Sequence, residues 1–289
     1  MIKIGPVGYS QIFLDEGYKS SLDVPVWLNK NGLTAYEYSF DYGFNLKEET
    51  AKKLGEIAQQ NSVLMSIHAP FYINFANENY EMIQKSFGYL TRCIEYLRLF
   101  NGRDIVFHTA SCGKLTRDKA LEVTNKNMDI FLDLLHSRNY VDKTLCPETM
   151  GKQAQIGTYK EIIDLCTKDE ILIPTFDFGH INCILGGALK SEDDFKKIID
   201  YGIEKLGYEK MERCHIHFSK IEYSESNNEV RHLDFSDEKY GPNVEPLLNV
   251  LVEYNLSPTI ICESKNKMME DSLKIKESYF KILKSNNKL

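Results

Sequence analysis

The sequence predicts an α/β fold of the (β/α)8 barrel class, in one domain spanning 1–289. Strand and helix signals alternate from end to end, which implies parallel strands joined by helical crossovers. Eight of each are present, a number that favours a closed barrel over an open doubly wound sheet. The length of 289 residues fits as well, since such a barrel takes about 250 residues before its loops are decorated.

The elements follow in order. Ile2–Gly5 is a short apolar run, and Leu22–Asn31 a short helix. Ala35–Ser39 (AYEYS) alternates with period two. Leu46–Asn61 has helical spacing at Ala51, Leu54, Ile57 and Ala58. Val63–His68 has the apolar run of a buried strand, before a long helix over Tyr80–Phe100. Asp104–His108 is a strand and Arg117–His136 a helix. Thr144–Glu148 is a strand, with a helix across Thr158–Thr167. Ile171–Asp177 is a strand, and a helix runs from Ser191 to about Leu206, with Ser191 as N-cap and Glu192, Asp193 and Asp194 in the first turn. Cys214–Ser219 is a strand, Val244–Tyr254 a helix, Pro258–Glu263 a strand and Met269–Lys284 the closing helix. No Gly-rich phosphate fingerprint follows the first strand, which weakens a dinucleotide-binding reading.

Composition narrows the class. Seven cysteines, widely spaced and without a C-x-x-C, argue against a disulfide framework and against a cysteine zinc site. The N-terminus lacks the basic start and apolar run of a signal peptide, and no apolar stretch approaches the roughly 20 residues of a membrane span. A cytoplasmic, membrane-free monomer is the expectation. The formal net charge of −7 weighs mildly against unspecific nucleic-acid binding, which needs phosphate neutralisation. A basic groove or bound metal ions can still sit on an acidic protein.

The chemistry lies at the strand ends. The third strand ends in His68, the fourth in His108, the fifth in Glu148 and the sixth in Asp177, with His180 three residues on. The seventh carries His215 and His217, the eighth ends in Glu263, and His232 lies in the loop after the seventh. Of seven histidines only His136 falls outside this set, and it reads as structural. The C-terminal strand ends of a barrel converge on one mouth, so residues far apart in sequence become neighbours. Imidazoles and carboxylates gathered there are metal ligands by type. Packed carboxylates without cations would repel, and divalent ions resolve that conflict. His215 and His217 share one face of their strand because side chains alternate with period two. Taken singly, His68 is a satisfied core histidine, Glu148 an ion-pair partner at the mouth, and Glu263 a helix cap or a partner of Lys265. The set taken together points to a metal site.

These residues sit in a series of motifs: HAPFYIN (His68–Asn74), VFHTAS (Val106–Ser111), PETMGKQAQIGT (Pro147–Thr158), FDFGHINC (Phe176–Cys183), HIHFSK (His215–Lys220), VRH (Val230–His232) and CES (Cys262–Ser264). The series resembles the endonuclease IV family of apurinic/apyrimidinic endonucleases, within the xylose-isomerase-like TIM barrels. It does so in order from the third strand to the eighth, while Gly5–Gln11 and Leu33–Gly43 fit only loosely. The resemblance implies a phosphodiesterase of DNA base-excision repair holding two or three zinc ions. It would cut the backbone 5′ to an abasic site and leave a 3′-hydroxyl. In that light His68 and His108 look like ligands of a first zinc, with Glu148 as the carboxylate bridging to a second. Asp177, His215 and Glu263 look like further ligands of the second, and His180 and His232 like ligands of a third. Glu148 and Glu263 are the candidate catalytic carboxylates. A bridged zinc pair lowers the pKa of a shared water, so hydroxide forms near neutral pH without a side-chain nucleophile. An abasic nucleotide has no base to unstack, so its extrusion costs less than flipping a normal one. Phe71 and Tyr72 are candidate wedges in the stack. Lys114, Lys152, Lys220, Arg231 and Lys265 are candidate phosphate contacts; each also reads as a plain solvated charge.

Two departures stand out. The family pattern Asp-Arg-His reads Val230-Arg231-His232 here, so Glu229 or Asp234 would have to substitute for the missing aspartate. The family's His-Leu-Asn-Asp reads His215-Ile216-His217-Phe218, which leaves His217 as an extra ligand or an outer hydrogen-bond donor. The rival reading is a sugar isomerase or epimerase of the same superfamily. Glu148, Asp177, His215 and Glu263 would then hold one Mn or Mg ion. The extra imidazoles His68, His108, His180 and His232 favour the nitrogen-rich, zinc-loving alternative. A non-enzymatic binder of damaged DNA or of metal is a third reading, which the paired carboxylates disfavour.

Overall fold

The computed structural model describes residues 1–288. Eight parallel strands form the barrel: β1 (Lys3–Pro6), β2 (Ala35–Ser39), β3 (Leu64–His68), β4 (Asp104–His108), β5 (Thr144–Glu148), β6 (Thr175–Asp177), β7 (His215–Phe218) and β8 (Thr259–Cys262). They neighbour in the order β1-β8-β7-β6-β5-β4-β3-β2. β1 closes onto β2: Thr34 N donates to Ile4 O at 2.9 Å and Gly8 N to Glu37 O at 3.2 Å. Gly5 permits that approach, since a Cβ there would land 1.6 Å from the carbonyl oxygen of Ala35.

Helices wrap the strands as the sequence predicts, with ends shifted by a few residues at most. Ser191 caps Glu192–Leu206, its N–H donating to Asp194 at 3.0 Å. The helix Tyr159–Cys166 opens on Thr158, with Thr158 and Glu161 bonding reciprocally at 3.3 and 2.9 Å. β6 is shorter than the apolar run Ile171–Asp177 suggests. Pro174 lacks an N–H for the ladder, and only Leu172 bridges to Leu145 before it. Three short helices carry no clear periodicity in the sequence: Gln11–Asp15, Phe178–Ile184 and Tyr208–Glu212. A hairpin of Lys220–Tyr223 and Glu229–Leu233 extends beyond β7, where the sequence suggested only loop.

The apolar core lies between barrel and helices. On β4, Ile105 and Phe107 are fully buried, and Phe107 sits 6.1 Å from Phe75, which in turn meets Phe131 at 5.8 Å. Each such ring contributes about 1.5–3 kcal/mol by burial. The alternate residues Asp104 and His108 face the barrel axis, so the outer layer supplies cohesion while the interior carries charge. No helix among the described residues is long and apolar enough to cross a membrane. All seven cysteines are free.

Candidate metal centre

Strand register brings the predicted residues to one level. His108 on β4 pairs with Glu148 on β5, and Asp177 on β6 with His217 on β7. Glu263 follows β8 directly, its N–H donating to Phe218 O at 3.1 Å. Asp177 also starts the short helix Phe178–Ile184: its Oδ1 accepts from His180 N at 2.8 Å, placing His180 one turn into the mouth. The hairpin folds over from the seventh-strand side and delivers Glu229 and His232. His68, His108, Glu148, His180, Glu229, His232 and Glu263 line a cleft of about 330 Å³ that also reaches Val7, Ser39 and Lys152, with Asp177 and His217 fully buried beneath it.

The carboxylates each span two groups of imidazoles. Glu148 Oε2 lies 3.2 Å from His68 Nε2 and 3.3 Å from His108 Nε2. Its Oε1 lies 3.1 Å from His217 Nδ1 and 3.6 Å from His180 Nδ1. Glu229 faces His180 Nε2 at 3.5 Å and His232 Nε2 at 3.8 Å, one with each oxygen. Glu263 meets His217 Nδ1 at 3.4 Å and His232 Nδ1 at 4.0 Å, again with different oxygens. Several rings are held from behind. His68 Nδ1 lies 3.0 Å from Ala69 O, His180 Nδ1 2.9 Å from Thr149 O, and His232 Nδ1 2.9 Å from Ser219 Oγ. That leaves the Nε2 atoms of all three turned to the carboxylates, the arrangement of metal-binding histidines.

Electrostatics show the strain of this packing. Burial and the neighbouring Glu263 and Glu148 push Asp177 up to about 6, against the pull of His180 and His232. Its Oδ2 is buried and makes no hydrogen bond, facing His180 Nδ1 at 3.2 Å. Burial disfavours charge on His68 and His180, yet the surrounding carboxylates prevail, Glu148 for His68 and Asp177 for His180. They raise the rings to about 9 and about 10. Burial likewise raises Glu263 and Glu229, but His217 and His180 respectively outweigh it and hold both down at about 2. Protonated rings here do what cations would do, namely separate packed carboxylates. Three sets of donors lie close enough to hold an ion at the mouth: His68, Glu148 and His217; Asp177, His180 and His232; and Glu148, Asp177, His217 and Glu263. The nitrogen-rich donor set and the orphaned Asp177 oxygen fit divalent metal.

His215 lies outside this mouth. It pairs in register with Thr175, two residues below Asp177, and its nitrogens face Glu37 (3.1 Å) and Asp104 (3.4 Å). His217 takes the position at the mouth that the motif comparison gave to His215. Of the two candidate substitutes, Glu229 reaches the cleft while Asp234 turns away to Lys267 at 3.2 Å. Val230 is exposed on the hairpin. Phe71 and Tyr72 stand half-exposed in the loop after His68, with Tyr42 edge-on to Phe71 at 5.5 Å. Lys152 lies at the rim, 4.0 Å from Glu229. Lys220 does not face the cleft: it is buried and donates to the carbonyl of Asp237. Arg231 points outward to Glu222 at 2.6 Å. Lys114 and Lys265 are exposed. His136 bonds Asp169 at 2.6 Å on the outside, as a structural residue. The sequence reading missed Glu37, fully buried on β2 against both His215 and His217. A glutamate flanked by tyrosines on a barrel strand was the available signal.

Comparison with known proteins places this geometry. An uncharacterized protein of Methanocaldococcus jannaschii, MJ0133, is 34% identical over 239 residues, covering 82% of this chain and 84% of its own. A probable endonuclease 4 of Staphylococcus carnosus is 25% identical over 175 residues, covering 58% of this chain and 56% of its own. Among solved structures, endonuclease IV from Thermus thermophilus aligns with TM-score 0.66 at 18% identity, over 98% of this chain and 99% of the other. A D-tagatose 3-epimerase-like protein aligns with TM-score 0.64 at 20% identity, over 88% and 90%. At such identities the structural likeness speaks for the fold. The sequence itself matches the family described as xylose isomerase-like TIM barrel over residues 26–280, and the chain belongs to that family.

Proposed function

We propose that this chain is a zinc-dependent phosphodiesterase that cuts DNA on the 5′ side of abasic sites. The observation that carries the reading is the imidazole-rich mouth: His68, His108, His180 and His232 join Glu148, Glu229 and Glu263 in one cleft. Zinc bound there would supply a Lewis acid and an activated water for attack on phosphorus. His68 and His108 address one oxygen of Glu148 and His217 the other, so Glu148 would hold zinc together with imidazoles on both of its sides. Glu229 and His232 with His180 provide the third position, in place of the aspartate that Val230 displaces. Glu263, between His217 and His232, is the second catalytic carboxylate. Phe71, Tyr72 and Tyr42 form a rim on which neighbouring bases would stack. Lys152 is the cleft-lining cation suited to a phosphate oxygen.

A second reading has its own observation. Glu148, Asp177, His217 and Glu263 by themselves form one donor group, suited to a single Mn or Mg ion and to sugar isomerisation or epimerisation. Elemental analysis of protein purified without chelator, paired with cleavage of an abasic duplex, separates the two. Two to three zinc ions with a 5′ cut support the nuclease. One manganese or magnesium, no cutting and turnover of a keto sugar would move the assignment to the isomerase.

A further inference from the structure

Below the mouth, a line of charged groups runs down the barrel axis. Glu37 is fully buried on β2. Its Oε2 accepts from Ser66 Oγ at 2.8 Å and lies 3.1 Å from His215 Nε2. Its Oε1 lies 2.9 Å from His217 Nε2. Oε1 and that Nε2 are both buried and make no hydrogen bond among the described residues, so their 2.9 Å contact with each other is the ion-pair contact that each has. The opposite nitrogen of the ring, His217 Nδ1, faces Glu148 at 3.1 Å and Glu263 at 3.4 Å. Farther down, His215 Nδ1 meets Asp104 at 3.4 Å. Asp104 in turn accepts from two guanidinium nitrogens of Arg103, at 2.9 and 2.8 Å.

We propose that Glu37 is the positioning residue of the metal centre: it keeps the proton of His217 on Nε2 and so presents Nδ1 to the ion. The inference rests on the metal-dependent reading above. A buried carboxylate can only accept, so the nitrogen facing Glu37 carries a hydrogen. Nδ1, bonded to Glu148 at 3.1 Å, carries one too in the absence of an ion; metal would displace that hydrogen and take the lone pair, while Glu37 keeps the one on Nε2. Ser66 donates to the other oxygen of Glu37, away from the ring of His217, and His215 lies below between Glu37 and Asp104. Partners of this kind set ring orientation and ligand basicity, and their loss typically weakens metal binding by about 10- to 100-fold.

The test uses the full chain and zinc alone. Zinc affinity is measured by chelator competition for the native chain, Glu37→Gln and Ser66→Ala. In parallel, 15N spectra of the zinc-loaded chains report which nitrogen of His217 carries hydrogen. In Glu37→Gln the side-chain amide can donate to Nε2, inverting the preference. The expected result is a fall in affinity of about 10- to 100-fold for Glu37→Gln, nearly native affinity for Ser66→Ala, and a native ring with hydrogen on Nε2 and metal on Nδ1. If Glu37→Gln does not fold, Glu37→Asp withdraws the carboxylate from the ring and is expected to weaken zinc in the same sense. Equal affinity in a folded Glu37 variant, an equal loss in Ser66→Ala, or metal on Nε2 of native His217 would overturn the inference. Failure of the native chain to take up zinc would instead overturn the metal reading on which it rests.

Discussion

Glu229 Oε2 lies 3.5 Å from His180 Nε2, joining the hairpin beyond β7 to the short helix after β6. On the proposed metal-dependent reading, Glu229 would stand in for the aspartate absent at Val230. Glu229→Ala is expected to lose one zinc per chain on dialysis while keeping the ions held around Glu148. Elemental analysis of the dialysed variant checks this, and an unchanged zinc content would remove Glu229 from the ligand set. Gly151 supports the same contact from below: a Cβ there would lie 2.7 Å from His180 and 2.9 Å from Glu229.

Metal and protons compete for the mouth. In the metal-free protein His68 and His180, raised to about 9 and about 10, hold their protons at neutral pH. Zinc must expel them, so loading near pH 7 is expected to release about two protons from these rings, and affinity to fall as pH falls. Glu229 and Glu263, held at about 2, are already ionised and add none. Calorimetric titrations in buffers of different ionisation enthalpy count the protons. Zinc uptake without release would contradict the assignment of these rings as ligands.

The lower end of the axis is expected to contribute to acid stability. Burial raises the Asp104 carboxyl, but His215 and Arg103 outweigh it and hold the group below the usual carboxylate range. A depressed carboxyl stabilises the fold above the unfolded-state value of about 3.9, and that contribution is lost as pH falls through the folded value. Asp104→Asn is expected to destabilise the protein by about 1–2 kcal/mol at neutral pH, since it removes the anion of Arg103, which is over a third exposed, and leaves His215 with Glu37 alone. It should also flatten the loss of stability below about pH 4. Urea unfolding at several pH values measures both; a native acid slope in the variant would show that Asp104 does not set it.

The half-exposed rings Phe71 and Tyr72 offer a test that separates the two proposed activities. Phe71→Ala with Tyr72→Ala is expected to weaken binding of abasic DNA by about 1–3 kcal/mol per lost stack, with zinc content unchanged. Fluorescence anisotropy with a labelled abasic duplex reads the effect. Native affinity in the double variant would take these rings out of the DNA path.

Much of this was legible because barrels convert strand ends into one place. His68, His108, Glu148, Asp177 and Glu263 needed only strand boundaries to be assigned to the mouth, and the structure puts all five there. Height along the axis was not legible. Period-two alternation sets His215 and His217 on one face but does not rank them; the pairing of Asp177 with His217 does. Glu37 hid for the same reason, since an inward glutamate in AYEYS looks like the polar half of an alternating strand. The burial of Lys220 followed from the hairpin, whose pairing brings Leu233 opposite it and which no short-range pattern announced.

The hairpin has a consequence for how such a chemistry can be acquired or lost. Glu229 and His232 reside on a segment outside the eight-stranded sheet, whereas the quartet of Glu148, Asp177, His217 and Glu263 is rooted in it or directly at its strand ends. Exchange of the hairpin's exposed strand by recombination would therefore add or delete the outer position, while Lys220 and Ile221 at its base, which are buried, would have to be kept. On this architecture Glu229 and His232 are the exchangeable part of the cleft, whereas His68, His108 and His180 stay with the barrel strands and the segments that follow them.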